Sequence, residues 1–179
     1  MSERTIYTAG HSTRTLDELA ALLESADVKA LADIRRFPSS RRHPQHNRGE
    51  LERGLASRGI EYRWFGEELG GRRQQIVPPE ESPNGAWQVA AFRNYADAMA
   101  TAPFLAAAER LEALALGVPT ALLCAEKLWW QCHRRLLADL MVARGWRVVH
   151  LLEPGRSQEH HLSEWARIAD GAVRYPALV

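Results

Sequence analysis

The sequence predicts an α/β fold: a single Rossmann-like three-layer domain over residues 1–179, with a mostly parallel sheet of about five strands. Three observations carry that prediction. Short β-prone runs alternate with stretches of helical period, a pattern that builds a parallel sheet covered by helices on both faces. The 179 residues, 46% hydrophobic and 25% charged, suit one core and would leave two domains thinly filled. The unusual polar residues fall just after the strands, at the carboxyl edge where open α/β sheets bind ligands.

Residues 6–10 form a first strand that runs into Gly10-His11-Ser12. Thr15 caps the helix that follows, with Glu18 completing a capping box and Leu16, Leu19, Leu22 and Leu23 forming the buried stripe. Residues 28–34 form the second strand, ending in Asp33-Ile34-Arg35-Arg36. A loop rich in Pro, Ser, Arg and His leads to a helix capped at Asn47, with Glu50 at the box position. Residues 60–65 alternate as a third strand and run into Glu67-Glu68-Leu69-Gly70-Gly71-Arg72-Arg73. Pro78, Pro79, Pro83 and Asn84-Gly85 mark 74–85 as a long loop, the kind that serves as a lid or binding loop or stays disordered. Two helical stretches, 87–99 and 104–114, precede a buried strand at 120–124. A helix over 132–143 stops at Gly145, a fifth strand spans 146–152, and a last helix covers 162–168.

No apolar run approaches the roughly 20 residues of a membrane helix. The polar start Met1-Ser2-Glu3-Arg4-Thr5 has no apolar signal core, and with two cysteines the expectation is a cytoplasmic protein without a disulfide framework. Net charge is +1, yet 21 of the 23 basic residues are arginine. A GC-rich genome accounts for that total as well as function does, so placement matters more. Residues 35–48 hold five arginines, two histidines and no acid, and arginine's planar fork suits phosphate and carboxylate.

Four motifs occur in order: Gly10-His11-Ser12-Thr13, Asp33-Ile34-Arg35-Arg36-Phe37-Pro38, Glu68-Leu69-Gly70-Gly71, and Cys124-Ala125-Glu126 followed by Cys132-His133-Arg134. Through them the chain resembles the domain of unknown function family number 488, over about residues 5–152. The resemblance implies a compact α/β domain and a cytoplasmic bacterial or archaeal protein. It carries no activity, so function is weighed from the residues.

Cys124 closes a buried strand and opens a loop, where helix amides and arginines can stabilise a thiolate nucleophile; equally, a buried cysteine is a small hydrophobe. The six residues after it include no arginine, which disfavours a phosphatase-type thiol loop. Glu126 suits general acid–base work or a solvated loop. Cys132, His133 and Arg134 open a helix, with basic residues where acids are preferred, as an anion site would have them. His11 and Ser12 are placed to contact phosphate, although Gly-rich dinucleotide and Walker A loops are absent. Asp33 is an acid or, more commonly for such a position, the partner of Arg35 and Arg36.

No tight Cys-x-x-Cys pair exists, and on a helix Cys132 and His133 would point about 100° apart, so no metal ligands are assigned. A Cys124–Cys132 redox pair lacks the short thioredoxin spacing. Residues 35–48, with Phe37, His43 and His46, and the loop tryptophans Trp129 and Trp130 offer rings for base stacking, while the pI near 7.9 is modest for a nucleic-acid binder.

The expected function is an enzyme acting on a phosphate-bearing nucleotide or nucleic-acid substrate, with no cofactor specified and no membrane partner. Cys124 is nucleophile or substrate contact, and Glu126 and His133 handle protons. His11, Ser12, Asp33, Arg35, Arg36, Arg72, Cys132 and Arg134 bind substrate. The alternatives are a non-catalytic nucleic-acid or anion-binding module, or a thiol redox or metal protein.

Overall fold

The sheet at the centre of the chain comprises β1 (Thr5–Gly10), β2 (Ala30–Asp33), β3 (Glu61–Trp64), β4 (Thr120–Cys124), β5 (Arg147–Glu153) and β6 (Arg156–Glu159). The computed structural model describes residues 4–177, so Met1-Ser2-Glu3 of the polar start lies outside the described residues. In space the strands run β3-β2-β4-β1-β5-β6, the first five parallel and β6 antiparallel to β5. The connecting helices are α1 (Leu16–Glu24), α2 (Arg48–Ala56), α3 (Gly66–Leu69), α4 (Ala90–Ala98), α5 (Ala102–Gly117) and α6 (Arg134–Ala143). The fold is the predicted three-layer, Rossmann-like α/β arrangement.

Alternation along each strand divides the core in two. Ala121 and Leu123 of β4 join Leu19, Leu22 and Leu23 of α1 and Leu51 and Leu55 of α2 on one face. Leu122 and Cys124 join Tyr95 of α4, Phe104 and Leu111 of α5 and Leu136 and Leu140 of α6 on the other. The chain therefore leaves β2 on the α1/α2 face toward β3, and leaves neighbouring β4 on the opposite face toward β5. Such a divergence opens a crevice at the carboxyl ends of the two strands.

The capping box of α1 is present: Glu18 N donates to Thr15 Oγ1 at 3.1 Å and Thr15 N to Glu18 Oε2 at 2.7 Å. The box predicted for α2 is not. Asn47 flanks the helix, but its Oδ1 accepts from Ser40 N at 2.6 Å, and Glu50 pairs with Arg53.

The predicted helix over 162–168 is also absent. Pro154-Gly155 forms a tight turn in which Gly155 takes φ +76, and the chain returns as β6 beside β5. Further on, β7 (Arg167–Ala169) and β8 (Ala172–Arg174) form a small hairpin. Asp139 of α6 captures Ser163 N and Oγ, which competes with helix formation in that segment.

A buried polar chain ties this region to the sheet. Asp139 Oδ1 accepts from His160 Nε2 at 2.8 Å, His160 Nδ1 bonds His150 Nε2 at 3.0 Å, and His150 Nδ1 bonds Thr8 Oγ1 at 2.7 Å. The carboxylate can only accept, so with neutral rings each imidazole donates toward Asp139 and Thr8 donates to His150. Burial, with His160 and Arg134 nearby, pushes His150 down to about 2. His150 is thus neutral when folded but titrates at its ordinary 6.5 when unfolded. Its contribution is complete above pH 6.5 and is lost as the pH falls toward 2, by about 1.4 kcal/mol per pH unit. Urea denaturation from pH 7 to 5 is expected to show wild type losing more stability than His150→Gln; parallel losses would refute the assignment.

Candidate active site

The crevice between β2 and β4 is a cleft of about 520 Å³. The loop after β4 forms its floor and lies against β1, with His11 N donating to Cys124 O at 3.0 Å and Ser12 N to Ala125 O at 2.9 Å. Only glycine fits at the end of β1, because a Cβ on Gly10 would come within 1.9 Å of the Glu126 carbonyl oxygen.

Cys124, Cys132 and His133 converge on this floor, one donor atom from each lying within 4.8 Å of the others. His133 Nε2 is 3.0 Å from the Ile34 carbonyl oxygen, which can only accept, so the proton belongs on Nε2 and the Nδ1 lone pair faces Cys124 Sγ at 4.0 Å. Burial pushes His133 down, favouring that neutral ring. The Cys132 hydrogen bond, the charge of Arg134 and the amides of Glu126 and Ala125 together outweigh burial and bring the Cys124 thiol down to about 7. The same hydrogen bond, with burial, pushes Cys132 up.

Sequence spacing had set Cys132 and His133 apart on a helix, and the structure corrects this. The α6 helix starts at Arg134 with His133 as its cap, while Cys132 is extended at φ −136, ψ 173 after a 3-10 turn, Trp129–Gln131. The helical angle does not apply, and both side chains reach the same floor.

The rim is basic and aromatic. Arg36 donates to the Glu67 carbonyl oxygen. The exposed Arg72, at φ +57, lies with its guanidinium 5.9 Å above the exposed Phe37 ring. Phe92 and Tyr95 of α4 complete the lining, with the Tyr95 ring 5.0 Å from His133. Neither the Arg72 guanidinium nor the Glu126 carboxylate has a hydrogen-bond or ion-pair partner among the described residues.

Of the residues singled out from sequence, Cys124, Glu126, Cys132, His133, Arg35, Arg36 and Arg72 line this cleft. His11, Ser12, Asp33 and Arg134 do not. Ser12 faces a separate depression with Arg14 and Glu153. Asp33 takes the ion-pair role, holding Arg35 through both carboxylate oxygens at 2.9 and 2.6 Å. The Arg35 NH1 donates to His11 Nε2 at 3.1 Å, and burial, with His46 next in effect, pushes His11 down to about 3. Arg134, only 1% exposed, spends its donors on the Glu126 and Lys127 carbonyl oxygens, Thr8 Oγ1 and Cys132 Sγ. It braces the floor and is not free to bind an external anion. His46 stacks on His11 at 4.1 Å and is fully buried, so it cannot stack on a base. Trp129 stacks on His150 at 4.3 Å, while Trp130 is exposed; neither lines the cleft. Phe92 and Tyr95 were missed because helical periodicity marks α4 only as a core helix.

Fold and site together define a Rossmann-like α/β protein with a cysteine–histidine floor at a topological switch point. A family model described as Domain of unknown function DUF488 matches residues 15–141, and the chain belongs to that family. No curated protein and no solved structure gives a significant match. No helix among the described residues is long and apolar enough to cross a membrane.

Proposed function

We propose that the chain is an enzyme that takes a phosphate-bearing substrate, a nucleotide or a nucleic-acid base, into this cleft, and that it works as one domain in the cytoplasm. One observation carries the reading: a single cleft combines arginines and aromatic rings at its rim, Arg72 among them without a hydrogen-bond or ion-pair partner among the described residues, with a cysteine, a histidine and Glu126 in its lining. Arg72 and Arg36 hold the phosphate, charge-assisted bonds of this kind contributing about 1.5–3 kcal/mol each. Phe37 and Phe92 offer faces to the base. Cys124 and His133 meet the reacting atoms, and Glu126 moves a proton. The two buried thiols suit a reducing compartment.

Binding is tested by thermal shift with a nucleoside monophosphate, the matching nucleoside and inorganic phosphate. The monophosphate is expected to stabilise most, Arg72→Ala to weaken it about tenfold or more, and Phe37→Ala to weaken the monophosphate without affecting inorganic phosphate. Equal shifts for nucleoside and monophosphate would remove the phosphate from the reading. Salt-sensitive binding of DNA or RNA with no turnover, unaffected by Cys124→Ala, would establish a binding module instead.

A further inference from the structure

We propose that Cys124, Cys132 and His133 hold a zinc ion whose fourth position opens onto the cleft, with Glu126 taking a proton from water at that position. Geometry is the first support. Tetrahedral zinc, at about 2.3 Å from sulfur and 2.0–2.1 Å from nitrogen, needs donor atoms about 3.5–3.8 Å apart. The three donors already lie within 4.8 Å of one another, and Cys124 Sγ is 4.0 Å from His133 Nδ1, so small side-chain rotations close the triangle. Two thiolates and an imidazole are a soft to borderline donor set that suits zinc and not magnesium or calcium.

The surroundings are those of a ligand set. A zinc-binding imidazole donates its other N–H to a fixed acceptor, as His133 Nε2 does to the Ile34 carbonyl. Arg134 Nε donates to Cys132 Sγ at 3.2 Å. Arg134 is also a buried cation with no carboxylate partner among the described residues, and buried charges need a counter-charge. A divalent ion between the sulfurs lets both be thiolates at once, and Cys132 Sγ, which already accepts from Arg134 Nε, then supplies that counter-charge.

Three protein ligands facing an open cleft are the arrangement of a catalytic zinc; structural sites are closed by a fourth ligand. Glu126 stands two residues beyond Cys124 on the cleft wall. When water binds at the fourth position, one O–H bond breaks, its proton passes to the Glu126 carboxylate, and the oxygen keeps the electron pair as zinc-held hydroxide. What the hydroxide attacks rests on the nucleotide reading above, and Cys124 becomes a ligand in place of an attacking group.

The test is the metal content of full-length protein purified without chelator. Wild type and Glu126→Gln are expected to carry about one zinc per chain, and Cys132→Ser and His133→Ala less than about a tenth of that. Because a misfolded variant also loses metal, cobalt replacement in wild type decides: a thiolate-to-cobalt charge-transfer band supports the site. Its absence, together with failure to retain added zinc, overturns it. Nucleotide stabilisation that survives complete metal removal, in a protein that takes up no cobalt, overturns the zinc and leaves the cleft reading intact. Zinc bound without any nucleotide shift supports the site and removes the nucleotide reading.

Discussion

Asp33→Ala is expected to cost about 3–5 kcal/mol of stability, because it strands a buried guanidinium. Asp33 is fully buried and Arg35 only 7% exposed. The carboxylate accepts from Arg35 Nε and backbone N through Oδ1, and from Arg35 NH2 and the Tyr62 hydroxyl through Oδ2. Without it the Arg35 guanidinium keeps, among the described residues, only His11 Nε2 and the His46 carbonyl oxygen as acceptors, and neither carries a negative charge. Tyr62, pushed up by burial and by Asp33, loses the acceptor of its hydroxyl proton. Most of the expected loss is the penalty of the orphaned charge and not the net worth of the pair. The double change Asp33→Leu with Arg35→Met should therefore recover more than half of it. Urea denaturation of the two single variants and the double checks this; a single Asp33→Ala within about 1 kcal/mol of wild type would mean that Arg35 finds another counter-charge.

Asp33 also shows what a sequence can carry. The strand ends were legible because an apolar strand must stop where its polar residues begin, and in a parallel sheet all such ends share one edge. That logic put Gly10–Ser12, Asp33–Arg36, Glu68–Arg73 and Cys124–Glu126 in one place, and the cleft contains residues from the last three but none from Gly10–Ser12. The direction of a side chain was not legible. Cys132 and His133 were read as neighbours on a helix, but one extended residue before α6 turns both toward Cys124. Arg134 was read as an anion binder, since burial beneath a loop leaves no mark on composition. The helix expected over 162–168 failed for a similar reason: Leu162, Trp165 and Ile168 have helical spacing, but the acceptor that holds Ser163 is Asp139, over twenty residues away. Long-range polar partners of this kind override local periodicity. Of that segment only Pro154-Gly155, a strong turn signal, was open to reading beforehand.

Asp139→Ala is expected to cost a similar amount, on the order of 3–5 kcal/mol, and to loosen the C-terminal segment before the rest of the sheet. Four donors converge on this fully buried carboxylate: His160 Nε2 at 2.8 Å, Ser163 N at 3.1 Å, Ser163 Oγ at 2.8 Å and the Tyr175 hydroxyl at 2.8 Å. Alanine leaves all four without an acceptor, at about 1–3 kcal/mol for each donor that water cannot reach. Asp139→Asn should cost less, because its amide oxygen still accepts from His160 and Ser163 N, while the two hydroxyls can rotate to accept from its NH₂. Tyr175→Phe removes one donor and its share of one bond, about 1 kcal/mol. The expected order of destabilisation is therefore Asp139→Ala, Asp139→Asn, Tyr175→Phe. Amide hydrogen exchange locates the damage: β6 and its pairing with β5 should lose protection in Asp139→Ala while β2 and β4 keep theirs. Thr8 lies at the far end of the same chain and within 3.4 Å of Arg134 NH1, so the loss also reaches the brace beneath Cys132. Uniform loss of protection across all strands would instead make Asp139 part of the global core, with no separately weakened C-terminal unit.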